Sequence, residues 1–231
     1  MSVPMPTPMT RPGSYLRSPI GLGRTAAALL GLVIAADLFA VYADLALYDV
    51  TGDLMDGASG TAVTRRLDDA NSLNTVAGGV QAGSLVMCVI VYLCWFVRVR
   101  ANAGVFDPST QSMKPGWAVG GWFVPFVNLW YPRRITRDIW DASSPAGARR
   151  SYLLVNAWWT LWIVSLLADR VGSAQSGDAD TVDGTHAGAY AMMISDALDI
   201  AAAALAIALV LRLTRMQHAK ALAGPGVPVG V

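Results

Sequence analysis

Four stretches of mostly apolar residues, set between connections rich in Gly, Asp and Arg, constrain this chain more than any other feature. They run at 25–48, 73–97, 152–169 and 187–211. A bilayer core about 30 Å thick is crossed by a helix of about 20 apolar residues, so each stretch reads as a transmembrane helix. The composition agrees, with 54% of the 231 residues hydrophobic, 14% charged and a mean hydropathy of +0.44, values too apolar for an ordinary soluble domain. The fold class expected is an all-α membrane protein, with one membrane domain over 24–215.

Two tails flank that domain. Residues 1–23 carry Pro4, Pro6, Pro8, Pro12 and Pro19, which oppose helix formation, and read as a disordered cytoplasmic tail. Residues 216–231 read as a second cytoplasmic tail, Gly/Pro-rich after Ala223. Arg11, Arg17 and Arg24 ahead of the first apolar run imitate a signal peptide, with a cleavage-like Ala40–Ala43. The run is longer than such a segment needs, so it is taken as the first span. Asp169 and Arg170 are expected to cap the third.

The net charge of +1 conceals an asymmetry. Fourteen of the 17 Lys and Arg residues fall in the first tail, the 98–150 connection and the C-terminal region; the other three are Arg65, Arg66 and Arg170. The positive-inside rule then places both termini in the cytoplasm of a multi-pass protein of a bacterial plasma membrane. Glu is absent and Arg far outnumbers Lys, a bias typical of GC-rich bacterial genomes.

The connection between the second and third spans contains an apolar segment, Trp117–Trp130, within residues 114–140. As a helix it would measure about 21 Å, short of the bilayer core, and Pro125 and Pro132 interrupt it. It is therefore expected to lie at the interface or to re-enter the membrane. Trp117, Trp122, Trp130 and Trp140 suit that depth. Arg133, Arg134 and Arg137 could meet anionic lipid headgroups, at about 1 kcal/mol per basic residue, and Pro125 and Asn128 complete a surface for lipid or a protein partner. The plainer reading is positive-inside anchoring.

Trp95-Phe96-Val97-Arg98, Asn102, PGWAVGGWFVPFVNLWYP at 115–132 and DIWDASSP at 138–145 resemble a bacterial membrane family, common in actinobacteria, catalogued as domain of unknown function 4328. The resemblance extends from the second span through the fourth. It implies a multi-spanning protein and no particular activity.

Charges inside a span are costly and mark candidate sites. Asp37 lies thirteen residues after Arg24 and Asp199 thirteen before Arg212, about 20 Å from the inner boundary by helical rise. Ser84 and Ser165 fall near the same level, and Asp196 one turn further out. Asp37 and Asp44, seven apart, share a helix face, as do Asp196 and Asp199. A carboxylate cluster there could bind a cation or share a proton; alternatively Asp44 is interfacial and the other pair faces an outer water pocket. Thr75, Gly79 and Gly83 read as internal packing, with homo-oligomerisation through Gly79 and Gly83 as the alternative. Gln81 and Asn156 read as interhelical hydrogen-bonding groups at other depths.

Cys88 and Cys94, six residues apart in one helix, point to different faces and cannot readily pair. His186 and His218 sit outside the predicted spans, which excludes an intramembrane haem-ligating pair. No zinc motif, phosphate loop or nucleophile elbow occurs, so no metal or cofactor is expected and an enzyme, for example one acting on lipid, is unsupported. Nucleic acid is not expected as a partner, because the basic connection surrounds an apolar, Trp-rich centre. The leading expectation is an interaction or scaffold protein with a cytoplasmic docking segment; the alternative is a proton- or cation-coupled channel or transporter using the aspartates.

Overall fold

The structure, a computed structural model, describes residues 15–145, 147, 151–176 and 181–224. Tail residues 1–14 and 225–231, with Arg11, Arg149 and Arg150, lie outside the described residues. Among the described residues, six α-helices follow in chain order: α1 (Ile20–Met55), α2 (Thr61–Phe106), α3 (Trp117–Phe123), α4 (Tyr131–Ser143), α5 (Leu153–Ser176) and α6 (Val182–Ala223). No strand occurs among the described residues.

Helices α1, α2 and α6 are long and apolar enough to cross a membrane. With 36, 46 and 42 residues, they are about 54, 69 and 63 Å long and outrun a bilayer core at their ends. Three candidate spans thus stand where the sequence suggests four. Helix α5 carries Asn156, Trp158, Trp159, Trp162, Asp169 and Arg170, which lower its mean hydropathy, although its 24 residues would reach about 36 Å. Asp169 and Arg170 lie within α5, which continues to Ser176, rather than capping it.

The helices also reach further into the connections than the apolar runs imply. Helix α1 begins at Ile20, inside the stretch read as a tail, and α6 continues to Ala223. Between α1 and α2 the break shrinks to 56–60, where Gly57 and Gly60 take φ of 90° and 105°, values that favour glycine. Leu47 and Val50 pack with Ala70, Val63 and Leu67 across that turn, and Arg66 pairs with Asp53 at 2.5 Å, so both polar ends stay helical. Thr181 caps α6 by accepting from Gly184 N at 3.1 Å. His186 stacks on Tyr48 at 3.8 Å, with Nδ1 3.1 Å from the Tyr48 carbonyl oxygen.

Packing follows a seven-residue repeat, the spacing of left-handed helix pairs. Gly23, Leu30, Asp37, Asp44 and Thr51 are buried on α1, and Ala189, Asp196, Ala203, Val210 and Gln217 on α6. Helix α1 packs along both α2 and α6, and α5 packs along α6, giving the order α2–α1–α6–α5. A Cβ at Gly23 would collide with Thr214, so glycine permits the close α1–α6 approach at this end. The outward faces carry Leu38, Leu85, Ile90 and Leu167, all exposed. Small and polar residues recur on the inward faces beside buried Leu and Val, while large aliphatic residues also cover the outward faces, as expected where lipid is the solvent.

At the end bearing α3 and α4, a polar knot ties the helices together. Gln217 Nε2 donates to the Val99 carbonyl at 2.8 Å and to Ser143 Oγ at 3.2 Å, while its Oε1 accepts from Asn102 Nδ2 at 3.0 Å. Asn102 also accepts from Arg17 N and donates to the Arg17 carbonyl. Trp95 Nε1 donates to Thr214 Oγ1 at 3.0 Å. Lys220 Nζ donates to the Ala142 and Ser144 carbonyls at 2.7 and 3.2 Å, closing the end of α4.

Candidate functional site

Three of the polar residues singled out in the sequence meet at mid-helix, and one that was placed elsewhere joins them. Gln81 Nε2 donates to Asp37 Oδ1 at 3.1 Å and to Asp196 Oδ1 at 3.0 Å. A single amide from α2 therefore bridges carboxylates on α1 and α6. Gln81 lies in the carboxylate layer, not at another depth; its position 44 residues from Asp37 hides this from any local pattern. Asp199 lies one turn along α6, with Ser165 of α5 as a side-chain neighbour. The Ser165 hydroxyl also reaches the Trp162 carbonyl at 3.0 Å. Ser84 is buried but donates to the Gln81 carbonyl of its own helix at 2.9 Å, so it stands apart from the carboxylates.

Two cavities flank the bridge. One, of about 380 Å³, opens between α2 and α5 and is lined by Asp37, Gln81, Asp196, Asp199, Trp158 and Trp162, among others. The other, of about 350 Å³, is lined by Asp44, Asn71, Asn74, Gln81 and Asp196. Asp44, read in one alternative as interfacial, is buried and accepts from Asn74 Nδ2 at 2.6 Å. Asp37 is 5% exposed and its Oδ2 has no hydrogen-bond partner. Among the described residues, no group of three or more His, Cys, Asp or Glu side chains is placed to hold a metal ion.

The Trp/Pro segment is divided by its packing. Trp122 fills the gap between α2 and α5, with ring centroids 5.6 Å from Tyr92, 5.8 Å from Phe96 and 5.7 Å from Trp162. Trp140 is buried in the same core, and Trp117 packs edge-on against Tyr131 at 4.9 Å. Trp140 is thus an interior residue rather than a surface contact, and Trp122 is half-buried with its ring packed against the core, because helices α3 and α4 fold their apolar faces onto α2 and α5. The surface is formed instead by Phe123, Val124, Phe126, Leu129 and Trp130, all exposed, with Pro125 exposed and Asn128 half-buried among them.

A strained turn shapes this ridge. Val127 N donates to the Pro125 carbonyl at 2.7 Å around Phe126, which takes φ 63° and ψ −44°, a γ-turn of the rare positive-φ form. Holding a bulky residue there costs about 1–3 kcal/mol, and it leaves the ring 77% exposed. The following carbonyl, Leu129, accepts from Trp159 Nε1 at 3.1 Å, which fixes the ridge to α5. Arg133 donates from Nε and Nη2 to Asn156 Oδ1, Arg134 Nε to Ser112 Oγ at 3.0 Å, and Arg137 lies 4.4 Å over the Tyr152 ring. Nearby, Ser109 donates to the Asp107 carboxylate from Oγ and N, holding it below the usual carboxylate range.

The sequence profile of the domain of unknown function DUF4328 matches residues 58–215, well over half of the chain. The chain belongs to this family. Comparison with the curated proteins and with the solved structures finds no match. In this DUF4328 protein the match runs from just before α2 into α6 and leaves α1 outside. The residues that carried the resemblance have packing roles: Trp95 and Asn102 hold α6 and the segment before α1, and Gly121 leaves room for Tyr131, whose Cβ lies 3.1 Å from a Cβ built there.

Gly79 and Gly83 do not pack inside the chain: a Cβ at either meets nothing within 4 Å, because α2 turns Ala77, Ser84 and Cys88 inward instead. Gly83→Ile is therefore expected to change unfolding stability in detergent by no more than about 0.5 kcal/mol. Gln81→Leu leaves two buried carboxylates without their shared donor and is expected to cost about 2 kcal/mol. Equal effects of the two changes in an SDS unfolding titration would contradict the bridging role.

Proposed function

We propose that this DUF4328 member is a multi-pass protein of a bacterial, actinobacterial, plasma membrane that acts as an interaction scaffold. In this reading α1, α2, α5 and α6 all cross, both termini are cytoplasmic, and α3 with its γ-turn re-enters the cytoplasmic leaflet as a docking platform. The observation that carries it is the exposed ridge Phe123–Trp130 clamped to the bundle from within by Trp122 and by the Trp159–Leu129 hydrogen bond. Strain is retained at a turn whose ring is 77% exposed, which favours a contact outside the chain. Arg133, Arg134 and Arg137 border the ridge and suit anionic headgroups. The outward Gly79–Gly83 face is available to a second copy.

Topology is tested with single cysteines at positions 58, 111, 181 and 222 in a background of Cys88→Ala and Cys94→Ser. An impermeant maleimide is expected to label 58 and 181 from outside, and 111 and 222 only after the membrane is opened. Positions 58 and 181 on opposite sides would reduce the crossings to three. Docking is tested by placing a photoreactive residue at 129 in cells. It should yield a discrete protein adduct that is lost on joint Phe126→Ser and Trp130→Ser substitution. Crosslinks to lipid alone, or an adduct indifferent to those changes, would remove the scaffold reading.

A second reading, a proton- or cation-coupled channel or transporter, is favoured by the Gln81 bridge, which places carboxylates beside two cavities at mid-helix. Its signature is cation or proton flux into reconstituted vesicles that Asp37→Asn abolishes; vesicles that stay tight with the unsubstituted protein would count against it.

A further inference from the structure

We infer that the cavity between α2 and α5 is a binding site for a lipophilic organic cation, a quaternary or protonated amine, held between the Asp37, Asp196 and Asp199 carboxylates and the indole rings of Trp158 and Trp162. The inference deepens the transport reading by naming a ligand class, and binding itself requires no flux.

The chemistry follows from what lines the cavity. Four aspartates, Asp37, Asp169, Asp196 and Asp199, contribute to it and no Lys, Arg or His does, so the chamber carries uncompensated acceptors in a region where an unpaired charge is expensive. The Gln81 amide donates both of its N–H groups, one to Asp37 and one to Asp196. That leaves Asp37 Oδ2 buried, unpartnered and on a residue 5% exposed. A cation is the complement of such a site.

The choice between an inorganic and an organic cation rests on geometry. A bare divalent ion needs several oxygens converging within about 2.6 Å, and among the described residues no three His, Cys, Asp or Glu side chains are placed to hold one. A volume of about 380 Å³ falls instead in the range of small-molecule pockets. Indole faces attract a soft cation at about 0.5–2 kcal/mol each, and Trp162 is held in place by Trp122 and Trp159 at 5.7 and 4.7 Å. Leu85 and Leu166 form an exposed apolar rim on faces that would meet lipid. A lipophilic cation already dissolved in the bilayer would reach the carboxylates through that rim without first crossing water.

The test uses the full chain in nanodiscs and radiolabelled benzyltrimethylammonium as probe, with empty nanodiscs as background. The expected result is saturable binding, displaced by unlabelled probe and not by neopentylbenzene, its uncharged isostere. Asp37→Asn should weaken binding about tenfold with a melting temperature near that of the unsubstituted protein, and Trp162→Leu should weaken it about fivefold. Binding no greater than to empty nanodiscs, equal displacement by the neutral isostere, or unchanged affinity in Asp37→Asn would each overturn the inference. If Asp37→Asn does not fold, the charged-against-neutral comparison on the unsubstituted protein still decides. Proton or sodium flux without probe binding would sink this inference and leave the transport reading standing, whereas probe binding without flux would do the reverse.

Discussion

A polar group removed from water must find its partner within the protein, and in a bundle of alanine, glycine and leucine there are few partners to find. Two glutamines meet that demand. Gln217 joins α6 to α2, α4 and, through Asn102, the segment before α1. Gln81 joins α2 to α1 and α6. Van der Waals packing along a seven-residue repeat tolerates sliding by a turn, since one small residue replaces another in each groove. An amide with fixed donors and acceptors does not. The two glutamines therefore lock the relative heights of α1, α2 and α6, and with them the level at which the carboxylates meet.

The same locking decides where the short helices sit. With the ends of α2 and α6 fixed by Gln217 and Trp95, and α4 closed by Lys220, α3 enters the space left because α2 and α5 do not pack along each other. Trp122 fills that space. Its neighbours Trp158 and Trp162 line the carboxylate chamber, so the exposed ridge and the chamber share an aromatic wall.

Much of the architecture was legible in the sequence. Apolar runs and the Lys/Arg asymmetry indicate a membrane-compatible helical protein. The seven-residue spacing of Asp37 and Asp44 showed that they share a face, and depth counting from Arg24 and Arg212 put Asp37 and Asp199 at one level. Depth counting failed for Ser84 because height along a helix says nothing about azimuth, and for Gln81 because a long amide side chain reaches carboxylates beyond the level of its own backbone. Ser84 is at the right level and bonds back to its own helix, while Gln81, assigned elsewhere, carries the bridge. Helix ends were misjudged for a related reason: Leu47, Val50, Val63 and Leu67 stabilise the α1–α2 turn only once they face each other, and no local run records that.

What the sequence determined by itself is the class of solvent each stretch can tolerate, since hydropathy, length and charge are summed residue by residue along the chain. Tertiary structure alone decided which tryptophans are surface and which are core, which glycines face a neighbour, and which amide reaches two carboxylates. Each of those depends on the rotation and height of one helix against another. That relation is set by contacts between residues tens of positions apart, such as Gln81 with Asp196 and Asn102 with Gln217.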